Sequence, residues 1–164
     1  MRLSNKLNNL QETTNFLSWQ DLSADLVLCL CGERLGEGAS RTTFVYNLDP
    51  KYVIKVEPGN DGHNMVEYLL WDEVKGLTGP LAWVKDWFAP VKWISPNGRL
   101  LVMERTYDKP EKVRPRYVPD FFTDLKRDNF GWIGNKFVCH DYAFIYRFIK
   151  YGKKMRKISK DKWW

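Results

Sequence analysis

Three stretches of this chain carry residue types and spacings suited to handling a phosphate. The first is Leu35-Gly36-Glu37-Gly38-Ala39-Ser40-Arg41, set between apolar runs. Small residues let backbone N–H groups approach an anion closely. Two glycines in a hairpin are also an ordinary turn. The second is Lys55 in Val53-Ile54-Lys55, on the run that follows that hairpin. A lysine there reaches phosphates under the glycine loop, and a carboxylate on the next helix orients it. Glu67 has the right place and Glu73 is a second candidate. A lone lysine is more commonly a surface residue of an edge strand. The third is Asp124-Leu125-Lys126-Arg127-Asp128-Asn129, with Asp141 twelve positions after Asn129. Gly134-Asn135 lies midway between Asn129 and Asp141, so a hairpin turning there sets the two side by side at its open end. Paired oxygen donors suit Mg²⁺, which takes hard ligands and keeps phosphate oxygens and waters for its remaining positions. Asp124 stands nearby to accept a hydroxyl proton. Asp and Asn are also routine in turns and at helix starts.

The elements that hold these residues read as follows. Phe16, Trp19 and Leu22 have helical spacing, which predicts a short helix over 16–24. Leu26–Leu30, Thr42–Tyr46 and Tyr52–Val56 read as three antiparallel strands. His63 to Gly76 reads as a helix with Met65, Leu69, Leu70 and Val74 on one stripe. Pro90–Ile94 and Arg99–Met103 are two more strands around a Ser95-Pro96-Asn97-Gly98 turn. Pro110, Pro115 and Pro119 forbid a long helix over 107–120, which becomes an extended crossing. Phe130–Ile133 and Lys136–Cys139 form the hairpin around Gly134-Asn135. The expected class is α+β, a sheet with a helix on one face.

With 164 residues, 44% hydrophobic and 28% charged, the chain has the size and composition of one globular domain. Three Cys do not make a disulfide framework, so a reducing cytoplasm is the expected location. Cys29 and Cys31 are expected on one strand face as apolar filling. His63 and His140 are too far apart in sequence to suggest a metal site with them. The start lacks the apolar run of a signal peptide, and no segment approaches the length of a membrane span. The net charge of +6 is concentrated: residues 147–164 hold eight basic residues and one acid, while the remainder is close to neutral. Such a tail attracts nucleic acid, an anionic membrane or an acidic protein, or is simply a solvated face with Met155 and Ile158 packed on the body.

The order glycine-rich loop, strand lysine, helix glutamate, strand pair, D-L-K-x-x-N, hairpin and D-x-[GA] resembles the protein-kinase-like superfamily over residues 30 to 144. The resemblance implies a five-stranded antiparallel N-lobe sheet with one main helix and a severely truncated C-lobe. It divides the chain into an N-terminal extension (1–25), N-lobe and hinge (26–106), minimal C-lobe (107–146) and basic tail (147–164). It implies ATP and Mg²⁺ as cofactors. Gly36, Gly38 and Ser40 then belong to the nucleotide loop, and Glu67 pairs with Lys55. Met103 is the gatekeeper, and the backbones of Glu104 and Thr106 bond the adenine. Asp124 is the catalytic base and Lys126 the cation at the γ-phosphate. Asn129 and Asp141 are the metal ligands, with Asp141-Tyr142-Ala143 in the place of D-F-G.

The chain also departs from that pattern. Arg41 stands at the third glycine position, and Phe122-Thr123 replace His-Arg before Asp124. No A-P-E follows Asp141. These features resemble pared-down kinases carried by bacteriophages and bacterial effectors. The implied activity is transfer to Ser or Thr of a protein, this chain included, with a host protein in the host cytoplasm as partner. A kinase-fold module that docks and inhibits a partner is the alternative, and a small-molecule phosphotransferase is a second. Nucleic acid enters only as an accessory ligand of the tail.

Overall fold

The computed structural model describes residues 19–59, 61–145 and 154–158. The fold is α+β, built on a five-stranded antiparallel sheet. Helix α1 (Trp19–Leu30) runs directly into β1 (Cys31–Glu37), followed by β2 (Thr42–Tyr46) and β3 (Tyr52–Val56). Helix α2 (His63–Lys75) comes next, then two short 3-10 turns, β4 (Val91–Ile94) and β5 (Leu100–Glu104). Sheet order is β1-β2-β3-β5-β4, which makes β3 the central strand and buries Lys55 on it. Strand β6 (Tyr117–Pro119) pairs with β9 (Met155–Lys157), and β7 (Phe130–Ile133) with β8 (Lys136–Cys139). No helix among the described residues is long and apolar enough to cross a membrane.

Two expectations are corrected at the N-terminal end. Leu26–Leu30 is the last part of α1, not a strand, and the first strand begins at Cys31. A short apolar run fits helix and strand alike by pattern. Here Asn47 settles the boundary, its N–H and side-chain amide donating to the Leu30 and Cys29 carbonyls at the helix end. Cys29 therefore lies on a helix and Cys31 on a strand, not on one strand face. Phe16 of the expected 16–24 helix lies outside the described residues.

Helix α2 buries Asn64, Glu67, Leu70 and Val74, whereas Leu69 from the expected stripe is 47% exposed. The helix is turned by its polar residues. Asn64 Nδ2 donates to the carbonyls of Lys55 and Arg99 (3.3 and 3.1 Å), fixing α2 against β3 and the start of β5. Its first turn is capped by Glu57, whose buried carboxylate accepts the N–H groups of Gly62, His63 and Asn64.

One hydrophobic core joins sheet, helix and the β7–β8 hairpin. At its centre Phe88 packs edge-on to Tyr142 (5.1 Å) and against Phe121 and Phe122, and Phe122 meets Phe130. The hairpin turns at Gly134, where a φ of 58° favours glycine. It docks on the segment following β5 through paired N–H···O bonds between Tyr107 and Trp132 (3.0 and 2.9 Å). Gly131 makes that approach possible: a Cβ there would lie 2.7 Å from Thr106 Cβ and 3.3 Å from the Tyr107 carbonyl oxygen. Thr106 Cβ is fixed to the backbone and cannot swing aside. Gly131→Ala is therefore expected to cost about 1–3 kcal/mol, read as a lowered urea midpoint.

Candidate functional site

A cleft of about 840 Å³ opens between the sheet and the hairpin. One wall carries Leu35, Gly36, Gly38, Ser40 and Arg41 with Val53 and Lys55; the other carries Asp124, Lys126, Asn129, His140 and Asp141. Glu104 and Thr106 line the edge joining them. Of the residues singled out in the sequence, Glu67 and Met103 do not line the cleft. Glu67 lies behind Lys55, completely buried. Met103 is the register partner of Val53 on β5; both belong to the core, and Val53 also borders the cleft.

Lys55 Nζ donates to both Glu67 oxygens (3.0 and 2.8 Å) and to the His140 carbonyl (2.6 Å). Glu73 is exposed on α2 and is not the partner. Glu67 Oε1 also accepts the N–H of Tyr142 (3.0 Å), so it ties α2 to the chain beyond the hairpin. At the open end of the hairpin the Asn129 carbonyl accepts the N–H groups of His140 and Asp141 (2.9 and 3.4 Å). This places Asn129 beside Asp141, as the midpoint argument expected. Asp124 accepts the Lys126 N–H (3.3 Å) and lies 3.4 Å from Lys126 Nζ.

Arg41 supplies the contact that the sequence did not suggest. Its guanidinium reaches Glu67 (2.9 Å from Nη1) and Asp141 (2.8 Å from Nη2) across the cleft, with only 9% of the side chain exposed. Burial opposes its charge, but Glu67 and Asp141 outweigh that and raise its pKa. For Asp141 burial again works against the charge, and Lys55 and Arg41 overcome it, holding the carboxyl below its ordinary value. Lys55, Arg41, Glu67 and Asp141 thus form a partly buried set of two cations and two anions. The loop is tied down further by Ser40 Oγ, 2.6 Å from His63 Nδ1 on α2.

His140 is held between two oxygens. Nε2 lies 2.8 Å from the Asp128 carbonyl, which only accepts, so Nε2 carries the hydrogen and Nδ1 accepts from the Thr106 hydroxyl (2.8 Å). Burial, with Lys55 nearby, lowers its pKa from 6.5 to about 4. The folded state keeps it neutral while the unfolded chain takes up a proton, so this contribution is full above about pH 6.5 and is lost as pH falls toward 4. Between pH 7 and pH 5 the loss is about 2 kcal/mol. Urea midpoints at the two pH values should show that drop in the wild type and a smaller one in His140→Gln.

The oxygen donors of Asp141 and Asn129 could hold a hard cation. Asp141 keeps 43% of its side chain exposed even with Oδ1 on Arg41, and Asn129 stands next to it. Gly36 faces open space, with nothing within 4 Å of a built Cβ. Glu57, Asp61 and His63 also bring ligand atoms within 4.8 Å of one another. Glu57 there serves as the α2 cap and His63 is bonded to Ser40, which accounts for the grouping without a metal. Cys139, fully buried with its Sγ donating to the Asp141 carbonyl, has its pKa pushed well up by burial and is no nucleophile. No protein-family model matches the chain, and the comparison with curated proteins gives no match.

Proposed function

We propose that the protein is an ATP- and Mg²⁺-dependent phosphotransferase, a minimal serine/threonine protein kinase acting on a protein and on itself. The observation that carries this reading is one cleft with the Lys55–Glu67 pair at its back and Asp124, Lys126, Asn129 and Asp141 on the facing wall. Phosphoryl transfer asks a protein mainly for positioning and charge neutralisation, and these residues supply both. Bound Mg²⁺ would neutralise phosphate charge, with Asp141 and Asn129 as its protein ligands. Lys55, oriented by Glu67, offers a fixed positive charge to phosphate oxygens. Asp124 accepts the proton of the attacking hydroxyl, and Lys126, 3.4 Å from it, faces the transferred group. The resemblance to the kinase-like superfamily supports the same assignment, with β1–β5 and α2 as N-lobe and the hairpin as the reduced C-lobe.

The second reading, a kinase-fold module that docks and inhibits a partner, is favoured by Arg41, which already neutralises Asp141. Incubation with labelled ATP and Mg²⁺, alone and with host-cell lysate, followed by mass spectrometry of labelled Ser and Thr, separates the two. Labelled residues that disappear with Asp124→Ala support the transferase. No labelled product, with a partner captured equally by wild type and Asp124→Ala, overturns it.

A further inference from the structure

A second, smaller cleft of about 340 Å³ lies beside the first. Its walls carry Lys109, Lys112, Arg114, Arg116 and Arg127, with Asp108 the one acid among the described lining residues and Ile158 as an apolar patch. The three prolines that keep 107–120 out of a helix are what present these side chains from an extended chain. Asp108 does little to neutralise them: it is 58% exposed, and Arg114 and Arg127 approach it only to 3.4 and 3.3 Å.

Lys109 and Lys112 are held in place by neutral groups. Lys109 and Lys112 donate to the Gly134 carbonyl (2.9 and 3.1 Å), and Lys112 also to Asn135 Oδ1 (2.7 Å). Lys112 lies over the Trp132 ring and Arg114 over Phe137. The Arg114 pKa is lowered, first by burial and then by Arg127, against the opposing pull of Asp108 and Asp128. Pairing of β6 with β9 adds the tail to this edge. Tyr117 faces Lys157 in register, the Ile158 N–H donates to the Arg116 carbonyl (2.7 Å), and Lys154 and Lys157 are exposed. Asp108, Arg114 and Arg127 line both clefts, so the basic one opens toward Asp124.

We propose that this basic cleft docks an acidic stretch of a polypeptide substrate, its carboxylates meeting Lys112, Arg114 and Arg116 while a neighbouring Ser or Thr lies toward Asp124. The cleft's selectivity stands on its own geometry, and the role of the docked hydroxyl rests on the phosphotransferase reading. Guanidinium forks match carboxylates in pairs. A single-stranded nucleic acid fits less well, because the Trp132 and Phe137 faces on which bases would stack are already covered by Lys112 and Arg114.

The test measures binding of the full chain, without nucleotide, by fluorescence anisotropy. The probes are a short labelled peptide with one Ser beside a run of Glu, a basic peptide of equal length, and a single-stranded oligonucleotide. The acidic peptide should bind, and the Lys112→Glu/Arg116→Glu double variant should lose about tenfold or more in affinity. Arg116→Ala, a change at one exposed side chain, should weaken binding in the same direction and serves if the double variant does not fold. Unchanged binding in the variants, no binding of the acidic peptide, or tighter oligonucleotide binding lost in the same variants would overturn the proposal. Adding ATP and Mg²⁺ separates the two readings. Binding without phosphate transfer removes the transferase and keeps the cleft, while transfer with no preference for the acidic peptide removes the cleft alone.

Discussion

Asp141→Ala is expected to lower phosphate transfer from ATP and Mg²⁺ by about a thousandfold or more while leaving the protein folded. The carboxylate is the charged member of the assigned Asn129–Asp141 ligand pair, so its loss removes the negative charge that a divalent cation requires there. The structural cost is small. The side chain is 43% exposed, and Arg41 keeps Glu67 as a partner when Asp141 is gone. The measurement is incorporation of labelled phosphate at saturating ATP and Mg²⁺, paired with a urea melt of both proteins. A midpoint close to wild type together with lost labelling is the expected pair of results. Equal labelling by wild type and variant would refute the assignment of Asp141 and, with it, the metal-assisted reading of the cleft.

Glu67→Ala is expected to be the most destabilising single change in the site. Glu67 is completely buried and accepts from Lys55, Arg41 and the Tyr142 N–H. Truncation leaves two buried cations facing the one remaining carboxylate of Asp141. Removing one partner of a buried ion pair costs about 3–5 kcal/mol, because the stranded charge stays out of water. Against a total stability of about 5–15 kcal/mol, much of the fold's margin goes with it. Glu67→Gln keeps the volume and an acceptor and should lose less. Urea unfolding of the three proteins measures the order. A loss below about 1 kcal/mol for Glu67→Ala would mean that Lys55 and Arg41 find water or a new partner, and that the network does not hold α2 to β3.

Parts of the site were legible because their cause is local. A Gly-Asn pair between two short apolar strands specifies the hairpin, and symmetric counting from that turn puts Asn129 next to Asp141. Lys55 on a strand of Val and Ile, followed by a helix, restricts its partner to a few carboxylates, and Glu67 is the one on the buried face. The α2 stripe was misjudged at Leu69 because hydrophobicity was counted and polar anchoring was not: Asn64 and Glu67 occupy the inner face, since Lys55 near the end of β3 offers them partners. The depth of Met103 was not legible in the same way. Val53 and Met103 share one face of the sheet, and which of the two borders the cleft depends on how the core fills behind it.

The sequence by itself determined the α+β class, the placing of α2 and the β7–β8 hairpin, and the adjacency of Asn129 and Asp141 at the hairpin's open end. Turn chemistry and the periods of helix and strand act over a few residues, so they can be read without the fold. The tertiary structure alone decided that Arg41 reaches Asp141, a hundred residues on, and that the C-terminal basic residues join Arg116 along β6. Such contacts gain their free energy from desolvation and charge pairing between segments with no sequence relation, and no local pattern encodes which distant partner a charge meets when the core closes.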